Sequence, residues 1–436
     1  MITDKEIYNA LKSIIDPDFK KDIVSLGFVK NIRIKENKVS FDIELTTPAC
    51  PIKAQFKKAA ENAVISLDGV EDVEVNMTSR KKQITNLNIN SGLNKVKTII
   101  AISSCKGGVG KSTIAGYLAG EIAGRGFKVG LLDADLFGPS VPILFDMREA
   151  KVFRSNDNKF LPVEKNSLKL MSFGFLLGDS AAVMRGPMVS NYMRQLLHNV
   201  AWGDLDYLFI DLPPGTGDIQ LTITQSVKLD GAVIVTTPQS LALADVVKGI
   251  LMFEKVNVPM LGVIENMSYF SCDNCGKNHY IFGKNENSNL IDRFGLDTLV
   301  QLPLHSDFAA KTIKPIDSKL IKIATDKVMM ALGKSSIKVA TPVVTFNDKE
   351  IIFKWPEGNV SAIRNFDLRL SCKCAVCIDE SSGKQKLKKQ DIPLDIKASE
   401  IIPLGNYAIA IKWSDGHNSG IYPYKSVAKI FLPYKT

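Results

Sequence analysis

Cysteine is scarce in this chain: seven in 436 residues, an odd count. A disulfide framework is excluded on that ground, and a reducing compartment is expected, where thiols serve metals or reactivity. No run approaches about 18 uninterrupted apolar residues, so no membrane-spanning helix is expected. The opening stretch from Met1 to Tyr8 lacks a cationic segment followed by an apolar one. No signal peptide is read there, and the expected location is the cytoplasm or a soluble organelle interior. Internal repeats and low-complexity tracts are missing too. So is concentrated charge. The net charge of +9 is spread as 15 basic and 13 acidic side chains in 1–95, 26 and 23 in 96–339, and 14 and 10 in 340–436. The densest run, Lys384, Lys386, Lys388 and Lys389, reads as a solvated loop. Nucleic-acid binding needs clustered base, so neither a nucleic-acid nor a membrane partner is expected. What remains is ordinary: 45% hydrophobic and 23% charged residues, enough for several packed domains and too apolar for disorder.

Periodicity divides the chain into three. Residues 1–80 read helix, strand, strand, helix, strand: Ile7, Leu11 and Ile14 share a helical face, and Asn31–Lys35 and Val39–Leu45 alternate around a Glu36-Asn37 turn. Ile52–Leu67 is expected to be helical and Val70–Val75 a last strand. Residues 81–95 lack periodicity and read as a linker. In 96–333, apolar strands are separated by helical stretches: Thr98–Ser103, Val129–Asp133, Tyr207–Asp211, Ala232–Thr236, Leu261–Glu265 and Thr298–Leu302. That alternation predicts an α/β fold with a central doubly wound parallel sheet and a ligand site at the carboxyl ends of its strands. It is flanked by a small α+β domain and by a small β-rich domain over 343–436, which includes strands Glu350–Lys354 and Ala408–Trp413. The terminal segment from Ala428 reads as a strand holding a proline.

Cys105-Lys106-Gly107-Gly108-Val109-Gly110-Lys111-Ser112-Thr113 follows an apolar strand and opens a helix, the context a phosphate loop requires. Glycines let backbone N–H groups and the helix N-terminus face phosphate oxygens. Lys111 is the candidate to bridge the β- and γ-phosphates of ATP, and Ser112 to ligate Mg²⁺. Cys105 stands where the usual pattern has glycine, and Lys106 marks a deviant loop. Asp135, after Val129–Asp133, is placed to orient water or contact Mg²⁺. Asp211, closing Tyr207–Asp211, is the candidate second Mg²⁺ carboxylate, followed by glycines that permit a moving loop. Asn266 is a candidate reader of the adenine edge, or a turn residue.

Cys272 and Cys275 have C-x-x-C spacing and supply half of a four-thiolate shell. A dimer would complete it around a [4Fe–4S] cluster or a zinc ion. His279 is a nearby third zinc ligand, and a redox disulfide is the other reading. Cys50, ahead of a helix, is an activated thiol or a buried free cysteine. Cys372, Cys374 and Cys377 gather three thiols, and His417 supplies a fourth ligand for structural Zn²⁺, with a second iron–sulfur site as the rival. His198 and His305 have no constellation and read as ordinary structural residues.

The segments Ser104–Thr113, Asp133–Ser140, Arg185–Pro187, Asp211–Asp218 and Asn266–Cys275 resemble the Mrp/Nbp35 family of P-loop ATPases that carry iron–sulfur clusters. Thr46–Pro51 looks like the signature of the MIP18-like domain of cluster-assembly factors. Residues 372–377 and 413–417 look like the zinc-binding domain that begins γ-butyrobetaine hydroxylases. Three such modules in this order, with Cys105 in the loop, are similar to the high-chlorophyll-fluorescence scaffold group. The resemblance implies a homodimeric ATPase, slow and regulatory, that holds a [4Fe–4S] cluster on Cys272 and Cys275 and passes it to apo iron–sulfur proteins alongside other assembly factors. In that family the early lysine, here Lys106, reaches the partner's nucleotide. Cys50 is implied as an accessory ligand or transfer thiol. A partitioning or positioning ATPase of the ParA/MinD type, and an electron-donating reductase like nitrogenase iron protein, are the alternatives of the same fold.

Overall fold

A computed structural model describes residues 2–17, 20–45, 47, 49, 51–79, 91–177, 186–215, 217–272, 274–282, 295–304, 312–313, 318–336, 341–374, 376–378, 384–405 and 407–431. In the first segment, helix α1 (Asp4–Leu11) is closed at its start by a Thr3–Glu6 capping box. Strands β1 (Val29–Lys35) and β2 (Lys38–Leu45) form an antiparallel pair, and α2 (Lys53–Ile65) carries the chain across to β3 (Asp72–Ser79), parallel to β2. Alternate residues of β2, namely Val39, Phe41, Ile43 and Leu45, are buried against Phe56, Ala60 and Val64 of α2. The period-2 strand and the 3.6-period helix bury facing stripes.

Among the described residues the central sheet has nine strands. In chain order they are β4 (Val96–Ser103), β5 (Val129–Asp133), β6 (Val163–Lys165), β7 (Leu168–Ser172), β8 (Leu205–Asp211), β9 (Gly231–Thr236), β10 (Met260–Ser271), β11 (Asn278–His279) and β12 (Thr298–Pro303). Their spatial order is β11-β10-β9-β4-β8-β5-β7-β6, with β12 also on β10. Pairings are parallel except β6 on β7 and β11 on β10. Both faces are apolar, as parallel strands covered by helices require. Ile99, Ala101, Leu208 and Ile210 pack on one side, and Ile100, Ile102, Tyr207 and Phe209 on the other. Strand β4 lies between β8 and β9, where the winding reverses, so its carboxyl end opens a crevice.

The β6–β7 hairpin was not expected. Its turn is Asn166-Ser167, both left-handed at φ 52° and 61°, a two-residue connection without the glycine that usually betrays it. Part of the expected linker is docked: Leu93 is in the core, and Ser91 Oγ lies 3.0 Å from His198 Nδ1. His198 thus has a structural partner, whereas His305 lies outside the described residues.

Among its described residues the last segment holds two three-stranded antiparallel sheets: β13 (Val343–Phe346), β14 (Glu350–Lys354) and β15 (Val360–Arg364), then β16 (Ala398–Leu404), β17 (Ala408–Trp413) and β18 (Gly420–Pro423). One correction concerns the C-terminus. Tyr424–Phe431 is an α-helix, not a strand. Tyr424 and Val427 are three apart and both buried in this segment's core. A window opening at Ala428 cuts through that helical period. Among the described residues no helix is long and apolar enough to cross a membrane. Neighbouring segments touch the central one through side chains: Thr47 Oγ1 and the Ala49 N–H reach the buried Tyr207 hydroxyl at 2.8 and 3.0 Å, and the Tyr407 hydroxyl donates to Glu254.

Candidate nucleotide site and metal centres

The loop Ser104–Gly110 leaves β4 at the sheet's crevice and enters a helix at Lys111–Gly124. Gly108 and Gly110 have φ of 78° and 83°, a conformation other residues adopt only with strain. A Cβ on Gly110 would lie 2.4 Å from Asn266 Nδ2. Ser104 braces the loop by donating to the Lys106 carbonyl at 2.9 Å. The helix carries no acidic residue in its first turn, so its positive dipole end is unopposed.

Lys111 is buried, and its ammonium pairs with Asp211 at the end of β8 and lies 3.3 Å from Ser112 Oγ. Burial pushes the Asp211 carboxyl up, while Lys111 and Ser112 hold it down. Its second oxygen, Oδ2, is buried without a partner. Ser112 and Asp211 fit a divalent cation: the ion would satisfy that oxygen and free Lys111 to meet phosphate. Asp135 holds its own loop: Oδ1 accepts from Phe137 N–H at 3.2 Å and Gly138 N–H at 3.1 Å. Asn266 is buried and donates from Nδ2 to the Val109 carbonyl at 2.9 Å, leaving Oδ1 buried and unpaired. That oxygen is a free acceptor for an amine such as that of adenine.

Asp133 is a site residue the sequence reading passed over in favour of Asp135. It is fully buried, lies opposite Asp211 in the sheet register, and accepts from Asp135 N–H, Ser140 N–H, Val141 N–H and Ser172 Oγ. Burial and then Asp211 push it up to about 7 against those donors. The acidic doublet was visible, but which aspartate turns inward depends on strand parity at the sheet's end.

Two coupled buried carboxyls beside one lysine titrate as a unit. A raised carboxyl contributes most stability below its ordinary value near 4, and that contribution is lost as pH rises through about 7. Added divalent charge favours the ionised pair, so Mg²⁺ joining protein that already holds nucleotide is expected to release a fraction of a proton, up to about one, near pH 6.5. Calorimetry in buffers of different ionisation enthalpy measures this; a binding enthalpy independent of buffer contradicts it.

Cys272 is half-buried and Cys275 exposed, in the turn joining β10 to β11. Cys272 N–H donates to the Lys277 carbonyl at 3.0 Å, and Gly276 N–H to the Cys272 carbonyl at 2.8 Å. His279, paired with Phe270 in that ribbon, is not brought into a three-ligand group with them. Around the turn, Phe270, Ile281 and Phe282 are exposed. Cys50, Arg185, Thr216 and Asp273 lie outside the described residues. Cys105 is half-buried, and its thiol packs against Gly249, where a Cβ would lie 2.7 Å away.

The C-terminal thiols are assembled tightly. Among the described residues, one group of three or more potential metal ligands forms: Cys372, Cys374, Cys377 and His417, with ligand atoms all within 4.8 Å of one another. His417 Nε2 lies 3.3, 3.5 and 3.9 Å from the three sulfurs. Arg369, missed in the sequence, donates from Nη1 to Cys377 Sγ at 3.3 Å and from Nε to Asp415 at 2.9 Å, while Asp415 accepts the His417 N–H. The set fits a tetrahedral metal ion with a buried counter-cation.

A glycine loop between apolar strand and helix, a buried lysine on it, and two aspartates ending neighbouring strands define a P-loop nucleoside triphosphatase, here an ATPase. The family described as "NUBPL iron-transfer P-loop NTPase" matches residues 95–334, "Iron-sulfur cluster assembly protein" residues 4–77, and "Gamma-butyrobetaine hydroxylase-like, N-terminal" residues 344–427. The "Fe-S cluster assembly factor HCF101, chloroplastic" of Arabidopsis thaliana is 43% identical over 98% of this chain and 83% of its own length. The "Iron-sulfur cluster carrier protein" of Haemophilus influenzae is 34% identical over 80% of this chain and 95% of its own. A solved nucleotide-binding protein from Archaeoglobus fulgidus, in complex with ADP, is 41% identical, covering 56% of this chain and 93% of its own at a TM-score of 0.46. The chain belongs to the family of iron-transfer P-loop NTPases.

Proposed function

We propose that the protein is an ATP-dependent iron–sulfur cluster carrier that works as a homodimer. Each chain lends Cys272 and Cys275 to one [4Fe–4S] cluster, which is cargo handed to apo iron–sulfur proteins in a reducing cytoplasm or organelle interior. ATP binds the loop Gly107–Thr113, with Lys111 on its terminal phosphates, Ser112 and Asp211 on Mg²⁺, Asp135 beside the attacking water and Asn266 on adenine. Lys106 acts on the partner chain's nucleotide. Cys50 is a transfer thiol, and Cys372, Cys374, Cys377 and His417 hold structural Zn²⁺. The working units are 1–80, 96–333 and 343–436.

One observation carries the carrier reading. Two thiols sit in a surface turn with no third ligand from the described residues of their own chain, on a stretch that also exposes Phe270, Ile281 and Phe282. A four-thiolate cluster needs two more thiolates, and a second copy supplies them symmetrically. Anaerobic reconstitution tests it. About four irons and four sulfides per two chains are expected in the wild type, and under about a tenth of that in the double variant Cys272→Ser/Cys275→Ser. Unchanged cluster content in the double variant rejects the assigned ligands.

A further inference from the structure

One strand, β10, touches both the phosphate loop and the cysteine turn. Asn266 on it is bonded to the Val109 carbonyl, and the amide sits so close to Gly110 that a single added carbon there would collide with it. The loop therefore cannot shift at Val109–Gly110 without moving Asn266 or breaking that bond. The next residue, Met267, has φ 56°. Among the described non-glycine residues with left-handed φ, it is the one with an apolar side chain; the rest are Asn, Asp, Ser, Lys and Glu. Left-handed backbone is costly for such a residue and persists where its surroundings impose it.

Those surroundings are identifiable. Ser268 is buried, and its hydroxyl faces two acceptors of Glu265, the carbonyl at 2.9 Å and Oε1 at 2.7 Å. Gln301 of β12 donates to the same Oε1 at 2.9 Å. The ladder with β12 pairs Glu265 with Gln301 and resumes at Tyr269 with Pro303. Three residues, Asn266 to Ser268, thus span the space opposite Leu302 alone, and the serine bond spans that bulge. Beyond it the strand runs straight into Cys272, five residues after Met267.

We propose that Asn266–Ser268 links nucleotide state to the exposure of Cys272 and Cys275, with Met267 as the hinge and the Ser268–Glu265 bond as the catch that holds it. A phosphate entering the loop draws on Val109–Gly110; Asn266 carries that displacement to the hinge, and the hinge re-aims the turn. This deepens the carrier reading and rests on it for its purpose, since the turn that moves is the one assigned to the cargo.

The test uses the full-length protein without cluster. Peptide-resolved alkylation with iodoacetamide gives the rates at Cys272 and Cys275 in Mg-ADP and in a non-hydrolysable Mg-ATP analogue. In the wild type the two rates are expected to differ by about fivefold or more. Met267→Gly, which removes the side chain that strains the hinge, and Ser268→Ala, which removes the catch, are expected to bring the ratio to within about twofold of unity while ATP turnover stays within about threefold. Ser268→Thr keeps the hydroxyl and is expected to keep the wild-type ratio. A wild-type ratio of one overturns the link, as does a ratio that survives both disruptive variants or is lost in Ser268→Thr. Because no iron enters this measurement, a carrier that fails reconstitution but passes here loses its cargo assignment and keeps its hinge.

Discussion

Replacing Lys106 by alanine is expected to lower ATP turnover by about a thousandfold or more while leaving ADP affinity within a few-fold. The two lysines of the loop stand in different places. Lys111 is buried at the helix start, locked to Asp211 across the sheet, and on the proposed reading serves its own chain's phosphates. Lys106 lies before the glycines, half-buried, with its carbonyl fixed by Ser104. On the proposed dimer it supplies positive charge to the partner's transferring phosphoryl group, where such a cation is worth about 10³ to 10⁵ in rate. Location in the other chain gives a sharper check than the loss itself. Mixing Lys106→Ala with Lys111→Ala produces dimers in which the first chain holds nucleotide and the second contributes an intact Lys106. Random exchange puts one working site in half of the dimers, so about a quarter of wild-type activity is expected from two inactive proteins. No recovery on mixing, with exchange shown by subunit labelling, rejects action across the interface.

What the sequence disclosed follows from which constraints are local. Parallel strands covered on both faces are short apolar runs, and Val129–Asp133 was legible to the residue for that reason. The phosphate loop was legible because its chemistry is contiguous. Partnerships across the sheet were not. Lys111 meets Asp211 a hundred positions away because β4 and β8 are neighbours with Asp211 level with Ile102, a register no local pattern encodes. Asp133 was passed over for Asp135 because both look alike until strand parity decides which is buried. Asn266 was read as an adenine contact, and its bond to Val109 depends on β10 and the loop converging in space. The C-terminal helix is hidden because its apolar period begins at Tyr424, ahead of the Ala428 stretch that holds a proline. Its buried Tyr424 and Val427 lie in the C-terminal core, so that face of the helix packs within the segment, while Ile430 is exposed.

Stripping metal from the C-terminal site is expected to unfold that segment while the ATPase continues. The reason is the composition of its core. Cys372, Cys374 and Cys377 are themselves among the buried residues, packed with Ile351, Phe353, Leu368, Trp413 and Tyr422. They come from the turn after a short helix, Asn365–Leu370, whereas His417 comes from the connection between β17 and β18, so a shared ion would tie together two parts of the segment that are distant in sequence. Three thiolates around a divalent ion leave one negative charge, and buried Arg369 offsets it. Without the ion, three sulfurs and an imidazole crowd one another with Arg369 as their one buried counter-charge among the described residues. Structural zinc contributes about 10–16 kcal/mol of binding free energy in small domains at neutral pH, which is comparable to the whole stability of a unit this size, about 5–15 kcal/mol. Cys374→Ala is therefore expected to bind less than about a tenth of the zinc held by wild type, whose content should be about one ion per chain. Hydrogen exchange in residues 344–427 should lose its protection, and ATP turnover should stay within about twofold. Iron in place of zinc after anaerobic purification contradicts the metal assignment, and an unchanged exchange pattern in Cys374→Ala contradicts the claim that the ion holds the fold.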